Sequence, residues 1–115
     1  MAQHPETRFV ATIHRRLLPY AGQLEIVRRN NPFQRGKPDY LYLRPNGPNV
    51  HVEYKVAPNT ASMLQLATIG DLRARGFKTA IITKHPNHVA INCGYETICD
   101  PLHWLLRELD IEPTP

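Results

Sequence analysis

Apolar positions follow two rhythms along this chain. Phe9, Val10, Ile13 and Leu17 recur at helical spacing, which predicts a helix over residues 5–18, opened by Pro5 in its first turn and ended by Pro19. Residues 24–29, 40–44 and 50–56 read as strands, and Pro45-Asn46-Gly47-Pro48 marks a hairpin between the last two. Residues 57–60 form a loop in which Asn59 or Thr60 caps a second helix, which runs to Arg75 and stops at Gly76. Residues 78–83 are a β-branched strand. A strand, a helix and a strand in succession predict a right-handed parallel crossover. Residues 88–93 supply another strand. Asp100-Pro101 opens a last helix over 102–109, where Trp104, Leu105 and Leu109 serve the core or a dimer face, and residues 112–115 fray. The order α-β-β-β-α-β, followed by β and α, predicts an α/β fold: a small mixed β-sheet flanked by helices.

Length narrows this to one domain spanning residues 1–115, large enough to bury a core without staples. No apolar run reaches membrane-spanning length and no secretory h-region opens the chain, so a cytoplasmic protein is expected. Cys93 and Cys99 are too few for a disulfide framework and are expected to be reduced. Together with His85, His88 and His103 they also lack the spacing of a zinc site. The formal charge of +4 suits a polyanionic partner without naming one.

The chemistry sits in the second and third strands. Asp39 opens one of them, and Glu53 and Lys55, two apart on the next, share a face. Two acids brought to one point hold a hard cation, and an ammonium beside them completes the equipment for cutting a phosphodiester with magnesium. The other reading is a surface hairpin with ordinary charges. Register decides between them. A two-residue turn at Asn46-Gly47 pairs Tyr40 with Glu53 and sends Asp39 to the far face; a bulge or an odd-length loop brings it to Glu53 and Lys55. Glu6 lies on the apolar stripe of the first helix, where a carboxylate needs a metal or Lys55 as partner, unless it simply serves the helix dipole at an exposed end. Gln65 aligns with Ile69 and Leu72 and either reaches over the sheet toward Lys55, a phosphate or a water at the cation, or is a satisfied buried amide. Arg28, Arg29, Arg35 and Lys37 gather before Asp39 and either grip phosphates or form a solvated basic loop. Arg15, Arg16, Arg73 and Arg75 read as solvent-facing charges.

Glu6, Gly36-Lys37-Pro38-Asp39, Glu53-Tyr54-Lys55, Gln65 and Gly76, in this order and spacing, resemble the PD-(D/E)xK nuclease superfamily and, within it, the VRR-NUC family of small stand-alone, often phage-borne nucleases. The resemblance covers residues 5–85. It implies a restriction-endonuclease-like core and DNA cleavage dependent on Mg2+ or Mn2+. Asp39 and Glu53, with a backbone carbonyl such as that of Tyr54, are the implied metal ligands; Lys55 is implied as catalytic, with Glu6 and Gln65 assisting. A homodimer acting on branched or duplex DNA in phage recombination, repair or replication is implied as well. The competing reading is a catalytically silent nuclease fold kept as a DNA-binding or protein-interaction module.

Overall fold

The computed structural model describes residues 4–29 and 36–114. Among the described residues, six strands lie side by side in chain order: β1 (Glu25–Arg28), β2 (Tyr40–Leu43), β3 (Asn49–Val56), β4 (Lys78–Lys84), β5 (Val89–Asn92) and β6 (Glu96–Ile98). Neighbours are antiparallel except β3 and β4, which run parallel. A tight turn cannot join parallel strands, so the chain crosses through a helix, α2 (Met63–Ala74). Two further helices, α1 (Pro5–Leu17) and α3 (Pro101–Glu108), complete the layers. The α/β architecture predicted from the sequence, a mixed sheet flanked by helices in a restriction-endonuclease-like order, is the one found.

Side-chain alternation assigns the faces. Phe9 of α1 meets the Tyr54 ring edge-on at 5.8 Å. Tyr54 alternates with Glu53 and Lys55 along β3, so α1 covers the face that those two turn away from. Here Phe9, Val10, Ile13 and Leu17 join Tyr42, Val50, Val52, Tyr54, Ile82, Ile91, Trp104 and Leu105 in one buried cluster. On the other face, Leu66 of α2 borders a cavity shared with Ile81 and Thr83, which pair across from Glu53 and Lys55. This second layer is thinner. α2 buries Ile69 and Leu72 and leaves Met63, Leu64 and Leu66 exposed.

Four local expectations change. The cap of α2 is Ser62, not Asn59 or Thr60; the Asn59 N–H instead donates to Val56 O at 3.0 Å and closes a turn. β6 is an added strand, made by a hairpin in which Asn92 pairs with Glu96 and Gly94 takes a φ of 111°. Through Thr114 the tail is docked rather than frayed, because the Thr114 N–H donates to the Tyr20 hydroxyl at 3.0 Å. Arg16 is not a free surface charge. It forks onto both oxygens of Asp100 at 2.6 and 2.9 Å, and Asp100 in turn caps α3 by accepting the His103 N–H at 3.2 Å.

Candidate metal centre

The loop between β2 and β3, residues 44–48, has an odd length. It pairs Tyr40 with Val52, Leu41 with His51, Tyr42 with Val50 and Leu43 with Asn49. Extending that register by one residue sets Asp39 opposite Glu53. The odd-length alternative is thus the one realised, and Asp39 joins the Glu53–Lys55 face without a bulge. Glu6 enters from the first turn of α1, and carboxylate oxygens of Glu6, Asp39 and Glu53 lie within 4.8 Å of one another. Glu6 occupies the N-terminal turn of α1, its main-chain N–H donating to His4 Nδ1 at 3.2 Å, and its carboxylate faces the two strand acids.

Glu53 is fully buried, and neither of its oxygens has a hydrogen-bond partner among the described residues. Lys55 Nζ stands 3.4 Å from Glu53 Oε2 and keeps 15% of its side chain exposed. Burial, then the charge of Asp39, pushes the Glu53 carboxyl up to about 8 from an ordinary 4.5, with Lys55 opposing. A buried carboxylate without a hydrogen bond is costly, and it stands beside two further carboxylates that repel it when all are ionised. A divalent cation relieves both penalties, so the donor set fits a hard, oxygen-loving ion.

The segment leading to Asp39 is held from several sides. Arg29, one residue past β1, donates its N–H to Asp39 O at 2.7 Å and its Nη1 to Pro38 O at 2.8 Å, while Nη2 lies 3.0 Å from His51 Nδ1. His51 shares the Glu53 face, and the Phe77 ring stands edge-on to it at 5.6 Å. Burial, then the charges of Arg29 and Lys37, lowers His51 to about 4, leaving a neutral ring that accepts at Nδ1. Gly36, at φ 80°, packs against α2 so closely that a Cβ would meet Leu64 Cγ at 2.6 Å and Thr68 Oγ1 at 2.8 Å.

The predicted basic group divides accordingly. Arg28 is exposed, its guanidinium 5.9 Å from the Tyr40 ring centre, and Lys37 is exposed. Arg29 is half-buried and committed to Pro38 and His51. Arg35 lies outside the described residues. Gln65 does not spend its carbonyl oxygen on the site: Oε1 accepts the Ser62 N–H at 2.8 Å, while Ser62 Oγ accepts the Gln65 N–H at 3.1 Å. This is a capping box, and Ser62-x-x-Gln65 is its sequence signature. The Tyr54 side chain lies on the opposite face, its hydroxyl 2.6 Å from that of Tyr42, which is 2.9 Å from His14 Nε2. His51, on the same face as Glu53 and in contact with Arg29, is a neighbour of the centre that the sequence pattern alone does not single out. The available signal was a polar side chain two before Glu53, on the same face of an otherwise apolar strand.

Neither a family model nor a curated protein matches the sequence. Among solved structures the chain is similar to Hjc, a Holliday junction resolvase from the archaeal hyperthermophile Archaeoglobus fulgidus, with a TM-score of 0.59 and 12% identity over 96% of this chain and 100% of that one. At that identity the likeness establishes a shared fold across nearly the whole chain.

Proposed function

We infer that the chain is a metal-dependent, structure-selective DNA endonuclease of the VRR-NUC type, hydrolysing phosphodiester bonds in branched or junction DNA during phage recombination, repair or replication. The observation that carries this reading is the meeting of Glu6, Asp39 and Glu53 within 4.8 Å, with Glu53 buried and Lys55 beside it. The fold shared with a Holliday junction resolvase supports the substrate class. Asp39, Glu53 and the Tyr54 carbonyl, with Glu6 at the rim, are the groups that would hold Mg2+ or Mn2+. When bound, such a cation polarises the scissile phosphate and strengthens water as a nucleophile. Lys55 places a positive charge at the same point and is open enough to face the charge that builds on phosphorus in the transition state. Arg28, Lys37 and Arg35 would set the strand in place through its phosphates. Two strands related by a two-fold axis call for two centres related by the same axis, so we expect a homodimer.

One cleavage panel tests the reading. Four-way, splayed, flap and plain duplex DNA, with matching single strands and RNA, are incubated with Mg2+, Mn2+ or EDTA. Cutting of branched DNA with either metal and none in EDTA is the expected result; binding without cutting under every condition overturns it. Light scattering at micromolar concentration checks the dimer.

A further inference from the structure

β2 begins at Tyr40, so Asp39 stands just outside the β2–β3 pairs and its position depends on the segment before it. That segment is pinned at both ends. Gly36 is pressed on Leu64 and Thr68 of α2. At the other end, the Arg29 main-chain N–H holds the Asp39 carbonyl, and its guanidinium holds the Pro38 carbonyl and rests on His51. The planar guanidinium forms two bonds from fixed directions, which a lysine ammonium cannot reproduce with one flexible stem. Arg29 is half-buried, with one N–H of each Nη atom engaged within the protein, whereas Arg28 and Lys37 are exposed. His51 reaches Arg29 from β3, the strand that carries Glu53. The arrangement therefore ties the backbone of one cation ligand to the strand of the other.

We propose that Arg29, braced by His51, is a positioning residue for Asp39, setting its carboxylate within reach of a cation shared with Glu53, and is not a phosphate contact. The inference rests on the cation-site reading above. It assigns to one member of the basic loop a role unlike that of its neighbours Arg28 and Lys37.

The test separates metal binding from DNA binding. Mn2+ is titrated into DNA-free protein and followed by electron paramagnetic resonance for wild type, Asp39→Asn, Arg29→Lys, Arg29→Ala and His51→Ala. Affinity for duplex DNA is measured in EDTA across a salt series, and thermal midpoints are recorded in EDTA. Arg29→Lys keeps the charge but loses the fork, so Mn2+ affinity is expected to fall about tenfold or more. Its thermal midpoint is expected to stay near wild type. His51→Ala is expected to weaken Mn2+ by a smaller factor. The salt slope of DNA binding is expected to be unchanged in Arg29→Lys and Arg29→Ala. Wild-type Mn2+ affinity in Arg29→Lys overturns the proposal, as does a salt slope lowered by about one in Arg29→Ala, the mark of a lost phosphate contact. If Arg29→Ala does not fold, Arg29→Lys and His51→Ala decide the matter. Asp39→Asn that binds Mn2+ like wild type would instead bring down the cation site itself, a result separate from failure of the clamp alone.

Discussion

On the α1 side of the sheet, Tyr42, Tyr54, Val50, Val52 and Trp104 are packed to near-zero exposure, and the Tyr42 hydroxyl is bonded to both Tyr54 and His14. On the α2 side, the same strands present His51, Glu53 and Lys55, with a buried carboxylate left without a hydrogen bond. One strand, β3, serves both. Alternation along it separates the two tasks residue by residue, so stability can be concentrated on one face while the other tolerates groups that a core would reject. The division is open to direct attack.

The largest effect is expected on the packed face. Trp104→Ala removes a nearly fully buried ring and should cost about 3–5 kcal/mol of stability. Cleavage per folded molecule should be unchanged, as denaturant unfolding and single-turnover assays can show. The mirror experiment is Lys55→Ala, expected to lower the cleavage rate by about 10²–10³, or roughly 2.7–4 kcal/mol of transition-state stabilisation, with little change in unfolding midpoint. Asp39→Asn should match it in activity while also weakening metal binding. If either variant cuts like wild type, the chemistry is not on this face.

Tyr42→Phe sharpens the contrast. It strips His14 and Tyr54 of their shared partner and should cost about 1–3 kcal/mol with no change in metal affinity. The pH dependence probes the other side. The folded protein holds a proton on Glu53 up to about 8, whereas the unfolded chain releases it near 4.5. Between those values the folded state binds more protons, so stability in EDTA falls as pH rises and is flat below the window. The thermal midpoint is expected to fall steadily from pH 5 to pH 8, with protection by Mg2+ greatest at the alkaline end. Glu53→Gln should flatten the profile; a wild-type profile that is flat in EDTA would contradict the burial argument. The smallest effect is expected at the edge of both layers. Arg16→Ala breaks a partly exposed ion pair with Asp100 and should cost about 0.2–1 kcal/mol, less in high salt.

Much of the architecture was legible in the sequence because local pattern and global fold agree. The apolar stripe of α1, the hairpin before β3 and the crossover to β4 were all read from periodicity and turn residues. What was misread involves competition between good local candidates. Residues 57–62 offer Asn59, Thr60 and Ser62 as caps, and only the reciprocal bond with Gln65 selects Ser62. That same bond takes up the Gln65 carbonyl oxygen, which periodicity alone had aimed over the sheet. The convergence of Asp39 with Glu53 could be posed from sequence but not resolved, since either parity of a Pro/Asn/Gly loop is chemically plausible. The role of Arg29 was out of reach because its partners, Pro38 and His51, are separated from it by nine and twenty-two positions.

The loop 44–48 has a further consequence at the level of the gene. A codon gained or lost between Leu43 and Asn49 changes only the connection, and Asp39 stays opposite Glu53 as long as Leu43 still faces Asn49. A single codon gained or lost within a strand, between Asp39 and Leu43 or between Asn49 and Glu53, shifts the pairing by one and turns the two acids to opposite faces. Natural variants that keep the centre should therefore vary freely in the loop while holding the spacing from each acid to its end of the hairpin.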